Sequence, residues 1–167
     1  MQTHYTDKTV RLYDADSHMR TFTATVADCR PAGEGWQVAL DQTCFFPEGG
    51  GQPGDRGTLT PLDGGEPLAV SDTREAGGQI WHITQAPLPT GTGVTGTLDW
   101  SLRFARMQCH SGEHLVSGLF HSRYGLDNVG FHLGDEEMTI DLSGPVTWAD
   151  VEEVERQANA AVALDLP

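Results

Sequence analysis

Over the first hundred positions, apolar residues come in short runs with a partial two-residue alternation, and Gly, Pro and Asp interrupt them. This rhythm predicts strands, because successive side chains of an extended chain point to opposite faces. The expected strands are Thr9 to Tyr13, Thr21 to Cys29, Trp36 to Asp41, Gly57 to Leu62, Pro67 to Asp72, Gln79 to Thr84 and Gly93 to Leu98. Short strands joined by loops rich in turn residues suggest a small barrel or sandwich, with Gly64-Gly65 and Gly77-Gly78 as hairpin turns. The period then lengthens. Asp99 can cap a helix in which Leu102, Phe104, Met107, Leu115, Leu119 and Phe120 recur at helical intervals, and Gly125 is suited to stop it.

Beyond a loop centred on Asp127-Asn128, Met138 to Leu142 alternates like a half-buried strand. A second helix is expected after Thr147, which with Asp150 three residues on resembles a capping box. Val151, Val154, Ala158, Ala161 and Val162 would form its apolar stripe. The closing Leu164-Asp165-Leu166-Pro167 reads as the start of a further strand, so the chain is expected to be the first part of a longer one. The predicted class is α+β: a small β-barrel over residues 1–98, then the first part of an α/β domain over 99–167 that runs helix, strand, helix.

Composition narrows the setting. In 167 residues, 38% hydrophobic and 20% charged positions are those of a globular chain, and no apolar run approaches the roughly 18 residues of a membrane span. Three cysteines and no signal-peptide layout predict a reducing, cytoplasmic setting without a disulfide framework. A net charge of -14 argues by itself against DNA or any other polyanionic partner. The charge is uneven, however: residues 1–100 carry -7, residues 136–167 carry -7, and 101–135 are neutral with four of the seven histidines. An anion-tolerant site belongs in that neutral stretch.

Two motifs carry candidate chemistry. The first runs from Asp41 to Asp55 through Gly49-Gly50-Gly51-Gln52; consecutive glycines let main-chain N–H groups approach a ligand oxygen, and Gln52 offers a donor and an acceptor. The second is His110-Ser111-Gly112-Glu113-His114. Two histidines four apart on a helix have Cβ atoms about 5–6 Å from one another, close enough for both to meet one zinc ion at about 2.0–2.1 Å. His121 lies about 10.5 Å further along the axis from His114 and does not join them. Glu113 is one helical step from His114 and suits an outer acceptor better than a ligand, while Cys109 reads as a small buried thiol.

Taken together and in order, Thr43-Cys44-Phe45-Phe46-Pro47-Glu48-Gly49-Gly50-Gly51-Gln52 and then His110-Ser111-Gly112-Glu113-His114 resemble the alanyl-tRNA editing proteins, the AlaX family, which are similar to the editing domain of alanyl-tRNA synthetase. Asp127-Asn128-Val129-Gly130-Phe131-His132 and the helix Val151 to Asn159 extend the likeness over nearly the whole chain. The resemblance implies a zinc-dependent hydrolase that removes serine, with glycine as a second candidate, from the acceptor end of the alanine tRNA. It matches His110 and His114 to the first metal pair, Gly49, Gly50, Gly51 and Gln52 to the glycine-rich motif, and Thr43 to the threonine tied to recognition of the serine side chain. Phe46 stands where the family often has tyrosine. The family completes its site with a Cys-x-x-x-His pair further downstream; Cys29 and Cys44 come too early to match it.

An aminoacyl ester is an activated acyl group, so a positioned water and donors aimed at the developing oxyanion suffice without a covalent nucleophile. Gln52 and the glycine-loop amides are the candidates for that work. Two other functions compete. A His-x-x-Glu-His zinc peptidase would use Glu113 as general base and needs a third ligand among Glu152, Glu153 and Glu155. A non-catalytic module would bind tRNA or metal alone, weakly and with strong salt dependence.

Overall fold

The computed structural model describes residues 8–134 and 137–165, so Leu166 and Pro167 of the expected last strand lie outside the described residues. The elements in chain order are β1 (Val10–Arg11), a short 3-10 turn (Leu12–Asp14), β2 (Thr21–Ala32), β3 (Gly35–Leu40), β4 (Gln42–Thr43), β5 (Gly57–Pro61), β6 (Leu68–Ala76), β7 (Gln79–Thr84), β8 (Gly93–Leu98), α1 (Trp100–Tyr124), β9 (Asn128–Leu133), β10 (Met138–Leu142) and α2 (Trp148–Ala163). They fall into two compact units, residues 1–49 with 53–103, and residues 50–52 with 104–167.

In the first unit β2-β3-β7-β6-β5-β8 form a closed barrel, all pairs antiparallel. Strict alternation drives it: along β2, Phe22, Ala24 and Val26 are buried while Thr21, Thr23 and Thr25 face water. These side chains meet Val38, Leu40, Phe45, Leu59, Val70, Val94 and Leu98 in one apolar interior. Register shifts between Val26 and Asp28 and between Val70 and Asp72 bend β2 and β6, as closure of a small barrel requires. The β6–β7 turn is Gly77-Gly78 with φ of 65° and 79°, the left-handed pair that a two-residue hairpin demands. Of the strand expected over Thr9 to Tyr13, Val10–Arg11 forms, paired parallel to Gln42–Thr43, and the chain turns into the 3-10 segment straight after it.

The interior also encloses a polar chain. Phe45 N–H donates to Thr43 Oγ1 at 3.1 Å, Thr43 Oγ1 lies 2.9 Å from His82 Nε2, and His82 Nδ1 lies 2.9 Å from the Val38 carbonyl. The carbonyl can only accept, so Nδ1 carries the hydrogen and Nε2 accepts from the Thr43 hydroxyl. Every polar atom of the chain is thereby satisfied, as burial requires. Beside it, Asp55 holds the base of the glycine-rich loop. Its N–H donates to the Phe46 carbonyl at 2.9 Å, its Oδ2 accepts from Phe46 N–H at 2.7 Å, and Arg103 Nη1 pairs with Oδ2 at 3.2 Å.

The helix α1 begins after Asp99, whose Oδ1 accepts from Leu102 N–H at 3.1 Å, belongs to the second unit from Phe104 on, and ends where Gly125 takes a φ of 67°. β9 and β10 pair antiparallel as a hairpin. Of the two, β9 is absent from the pattern-based expectation, since Asn128 and Gly130 read as loop residues and only pairing with β10 makes them a strand. α2 starts with the expected capping box, Thr147 and Asp150 bonding reciprocally, and buries Val154. Among the described residues no helix is long and apolar enough to cross a membrane.

Burial pushes the His82 imidazole down to about 4. The unfolded chain takes up this proton below about 6.5, whereas the folded barrel stays neutral until about pH 4, so the unfolded state gains on acidification. Between pH 7 and pH 5 the linkage removes about 2 kcal/mol of stability. Urea unfolding at the two pH values should show that loss, reduced in His82→Gln; an equal loss in both proteins contradicts a buried neutral His82.

Candidate metal centre on the long helix

The helical spacing does what the motif predicts for its two histidines. His110 and His114 lie one turn apart on α1 with ring centroids 4.9 Å from one another. His110 is half-buried and its ring packs against Phe131 of β9 at 5.5 Å, while the His114 side chain is 73% exposed. Gln52 points its Oε1 at His110 Nδ1 from 3.0 Å. An amide oxygen only accepts, so Nδ1 carries the hydrogen and Nε2 keeps the lone pair a metal would take.

Gln52 is placed by the tip of the glycine-rich loop. Gly50 and Gly51 adopt φ of 59° and 81°, and the Gly51 carbonyl accepts from Leu133 N–H at 2.9 Å. A Cβ at Gly51 would lie 2.2 Å from the Phe131 carbonyl oxygen, so only glycine lets the loop tip lie along β9. All three glycines are exposed at the surface. Gly49 groups with the barrel residues, Gly50 to Gln52 with the second unit.

Glu113 belongs to the same cluster. His110, Glu113 and His114 each offer a ligand atom, and these atoms lie within 4.8 Å of one another. Glu113 is three residues from His110 and so lies near its helix face, and its carboxylate also approaches His114. Its side chain is buried; Oε1 accepts from Ser117 Oγ and, at 2.6 Å, from Asn128 Nδ2, while Oε2 lies 3.6 Å from His114 Nδ1.

The donor set suits zinc in kind, since two imidazoles and a carboxylate are a known three-ligand combination. Two atoms bound to one ion at about 2.1 Å can be at most about 4.2 Å apart. A spacing of up to 4.8 Å therefore requires a small adjustment, which the exposed His114 is free to make.

The remaining candidates have partners of their own. Thr43 is 0% exposed inside the barrel and gives its hydroxyl hydrogen to His82. Phe46 packs on Tyr13 with ring centroids 5.0 Å apart. His121 pairs with Asp127 at 2.8 Å. Cys109 is exposed, in contrast to the buried thiol expected, because it faces away from the packed side of α1; the buried thiol is Cys44, which burial pushes up to about 12. Glu153, a third ligand for the peptidase alternative, is held instead by Arg156 at 2.6 Å and Arg123 at 3.2 Å.

The apolar pattern of α1 by itself does not show what surrounds Glu113. The buried or half-buried positions of α1 include Arg103, Arg106, His110, Glu113, Ser117 and Phe120, spaced alternately three and four residues apart. This is a helix's packed stripe written in polar letters, and tracing polar residues at that spacing finds it.

Comparison with known proteins points one way. Residues 3–102 match the family model described as tRNA synthetases class II (A). The chain is 38% identical over 160 residues to alanyl-tRNA editing protein AlaX-L of Pyrococcus horikoshii, covering 94% of the chain and 39% of that protein. It is 39% identical over 166 residues to alanyl-tRNA editing protein Aarsd1 of Bos taurus, covering 91% of the chain and 36% of that protein. An alanine–tRNA ligase of Pyrobaculum neutrophilum is 36% identical over 165 residues, with 96% of the chain and 18% of the ligase covered. The chain thus spans about two-fifths or less of these relatives. A family model over more than half of its length, and editing relatives along nearly all of it, place the chain in the alanyl-tRNA editing protein (AlaX) family.

Proposed function

We propose that this chain carries the metal-binding part of a trans-editing hydrolase that removes serine, and more weakly glycine, from the acceptor end of tRNA(Ala), with zinc as its cofactor. The observation that carries the proposal is the meeting of His110, Glu113 and His114 with Gln52 seated on His110, in a chain of this family. A zinc ion held there by the two imidazoles would supply a Lewis acid that orients or polarises the aminoacyl end. The protein's own groups do the rest. Gln52 Oε1 fixes the His110 tautomer, and its amide Nε2 is left to donate to a water or to the developing oxyanion. The main-chain amides of Gly50 and Gly51, in the exposed loop tip, are candidate further donors of the kind an anionic intermediate needs.

Specificity for serine over alanine needs a polar partner for the serine hydroxyl, left unpaired when alanine binds. Thr43 enters as the residue the resemblance ties to that task. Its position inside the barrel adds a condition, since its hydroxyl hydrogen is committed to His82 and a substrate would have to compete for it.

Two expectations follow. With zinc-loaded chain and tRNA(Ala) carrying serine, glycine or alanine, release of serine should be fastest, and His110→Ala or Gln52→Ala should lower the rate about 100-fold or more, the scale of losing a preorganised catalytic donor. Zinc binding without release of serine or glycine would instead assign the chain the non-catalytic role. Thr43→Val should lower the serine-to-alanine rate ratio, and should also cost about 1–3 kcal/mol in urea unfolding because His82 Nε2 and Phe45 N–H lose their partner. A stability loss with an unchanged ratio would restrict Thr43 to the barrel core.

A further inference from the structure

The two histidines of the cluster are met by an oxygen at the same ring atom. Gln52 Oε1 faces His110 Nδ1 at 3.0 Å, and Glu113 Oε2 faces His114 Nδ1 at 3.6 Å. The second approach is longer than a hydrogen bond, but there the carboxylate is fixed and the ring is not. Ser117 Oγ and Asn128 Nδ2 both donate to Glu113 Oε1, and Asn128 is held at its other end, where its Oδ1 accepts from Gly130 N–H at 3.0 Å. Glu113 is buried, whereas the His114 side chain is 73% exposed and can turn onto Oε2.

This geometry separates two roles for Glu113, which lies close enough to be counted among the ligand atoms. Oε1 is taken by two donors, and Oε2 stands on the Nδ1 side of His114. A carboxylate only accepts, so the ring that meets it carries its hydrogen on Nδ1 and keeps its lone pair on Nε2, the same nitrogen that Gln52 leaves open on His110. The two rings are tilted by only 32°, so they present that nitrogen in similar orientations. Ser117 and Asn128 are neutral, and a carboxylate withdrawn from water among neutral donors lacks a counter-charge; a cation on the far nitrogen of the ring supplies one through the imidazole.

We propose that Glu113 is a positioning residue for His114: held by Asn128 and Ser117, its Oε2 accepts from His114 Nδ1–H and turns Nε2 to the metal, as Gln52 does for His110. Glu113 keeps off the ion itself, and this role rests on the zinc reading above. Outer partners of this kind are worth about 10–100-fold in metal affinity.

Two readouts on the chain test this role: the histidine tautomers, from ring-nitrogen NMR shifts of the metal-free protein above the imidazole titration range, and zinc affinity, from competition against a chromophoric chelator. Wild type should carry hydrogen on Nδ1 of both His110 and His114. In Glu113→Gln, Ser117 and Asn128 hold the new amide oxygen and leave its NH2 toward His114, so that ring should move its hydrogen to Nε2 and zinc affinity should fall about 10–100-fold. Asn128→Ala should weaken zinc binding in the same direction, and the double variant should lose no more than Glu113→Gln alone, because both act through one contact. Ser117→Ala, which leaves β9 untouched, should move both readouts the same way and keeps the test open where another variant fails to fold. Hydrogen on Nε2 of His114 in wild type, or tautomer and affinity unchanged in Glu113→Gln and Ser117→Ala, overturns the positioning role and leaves the histidine pair in place. Zinc binding unchanged in both His110→Ala and His114→Ala overturns the metal reading, and the role of Glu113 with it.

Discussion

The hydrogen bond that Asn128 of β9 gives to the buried Glu113 carboxylate ties that strand to α1, and Ser117 on the helix fixes the same carboxylate oxygen. With β9 set against the helix, Phe131 comes to the His110 ring and Leu133 N–H comes to the Gly51 carbonyl. The glycine tip then delivers Gln52 to His110 Nδ1. Each step depends on the one before it, so a short stretch of exposed loop acquires a defined side-chain target. The arrangement also explains the composition of the helix. A stripe that packs through Arg106, His110, Glu113 and Ser117 gives up apolar burial, worth about 1.5–3 kcal/mol for each large side chain, in exchange for ordered polar groups.

The barrel solves a related problem by the same means. Thr43, Phe45, His82 and Val38 exchange hydrogen bonds in an interior that excludes water, and Asp55 ties the base of the glycine-rich loop to Phe46 and Arg103. Buried polar chains of this kind hold strand ends in one register, because a slip would leave several groups unpaired at once. They make Thr43 and Asp55 structural whatever else they do.

Much of this was legible in the sequence. Two-residue alternation marks the six barrel strands, Gly77-Gly78 marks a hairpin, Asp99 and Gly125 bracket the long helix, and Thr147 with Asp150 opens the last one. His110 and His114 stand out because ligand spacing is a local property of a helix. What escaped depends on contacts distant in sequence. β9 carries Asn and Gly, weak strand formers, and exists by pairing with Met138–Leu142. His82 looks like an ordinary strand residue until the barrel closes over it. Glu113 takes its partners from Ser117 one turn on and from Asn128 on the next element, and the second of these depends on a contact no local spacing shows.

The charge distribution fits the same division. The acidic excess sits before and after a neutral central stretch, and that stretch holds His110, Glu113 and His114, so a net charge of -14 describes the flanks better than the candidate site. Recognition confined to the end of a tRNA needs few phosphate contacts and tolerates such a background. The central proposal is that His110 and His114 together bind the zinc ion. X-ray absorption at the zinc edge of the loaded chain tests it most directly: the spectrum should show two imidazoles among the light-atom neighbours of the ion, and a spectrum with no imidazole signature would contradict it.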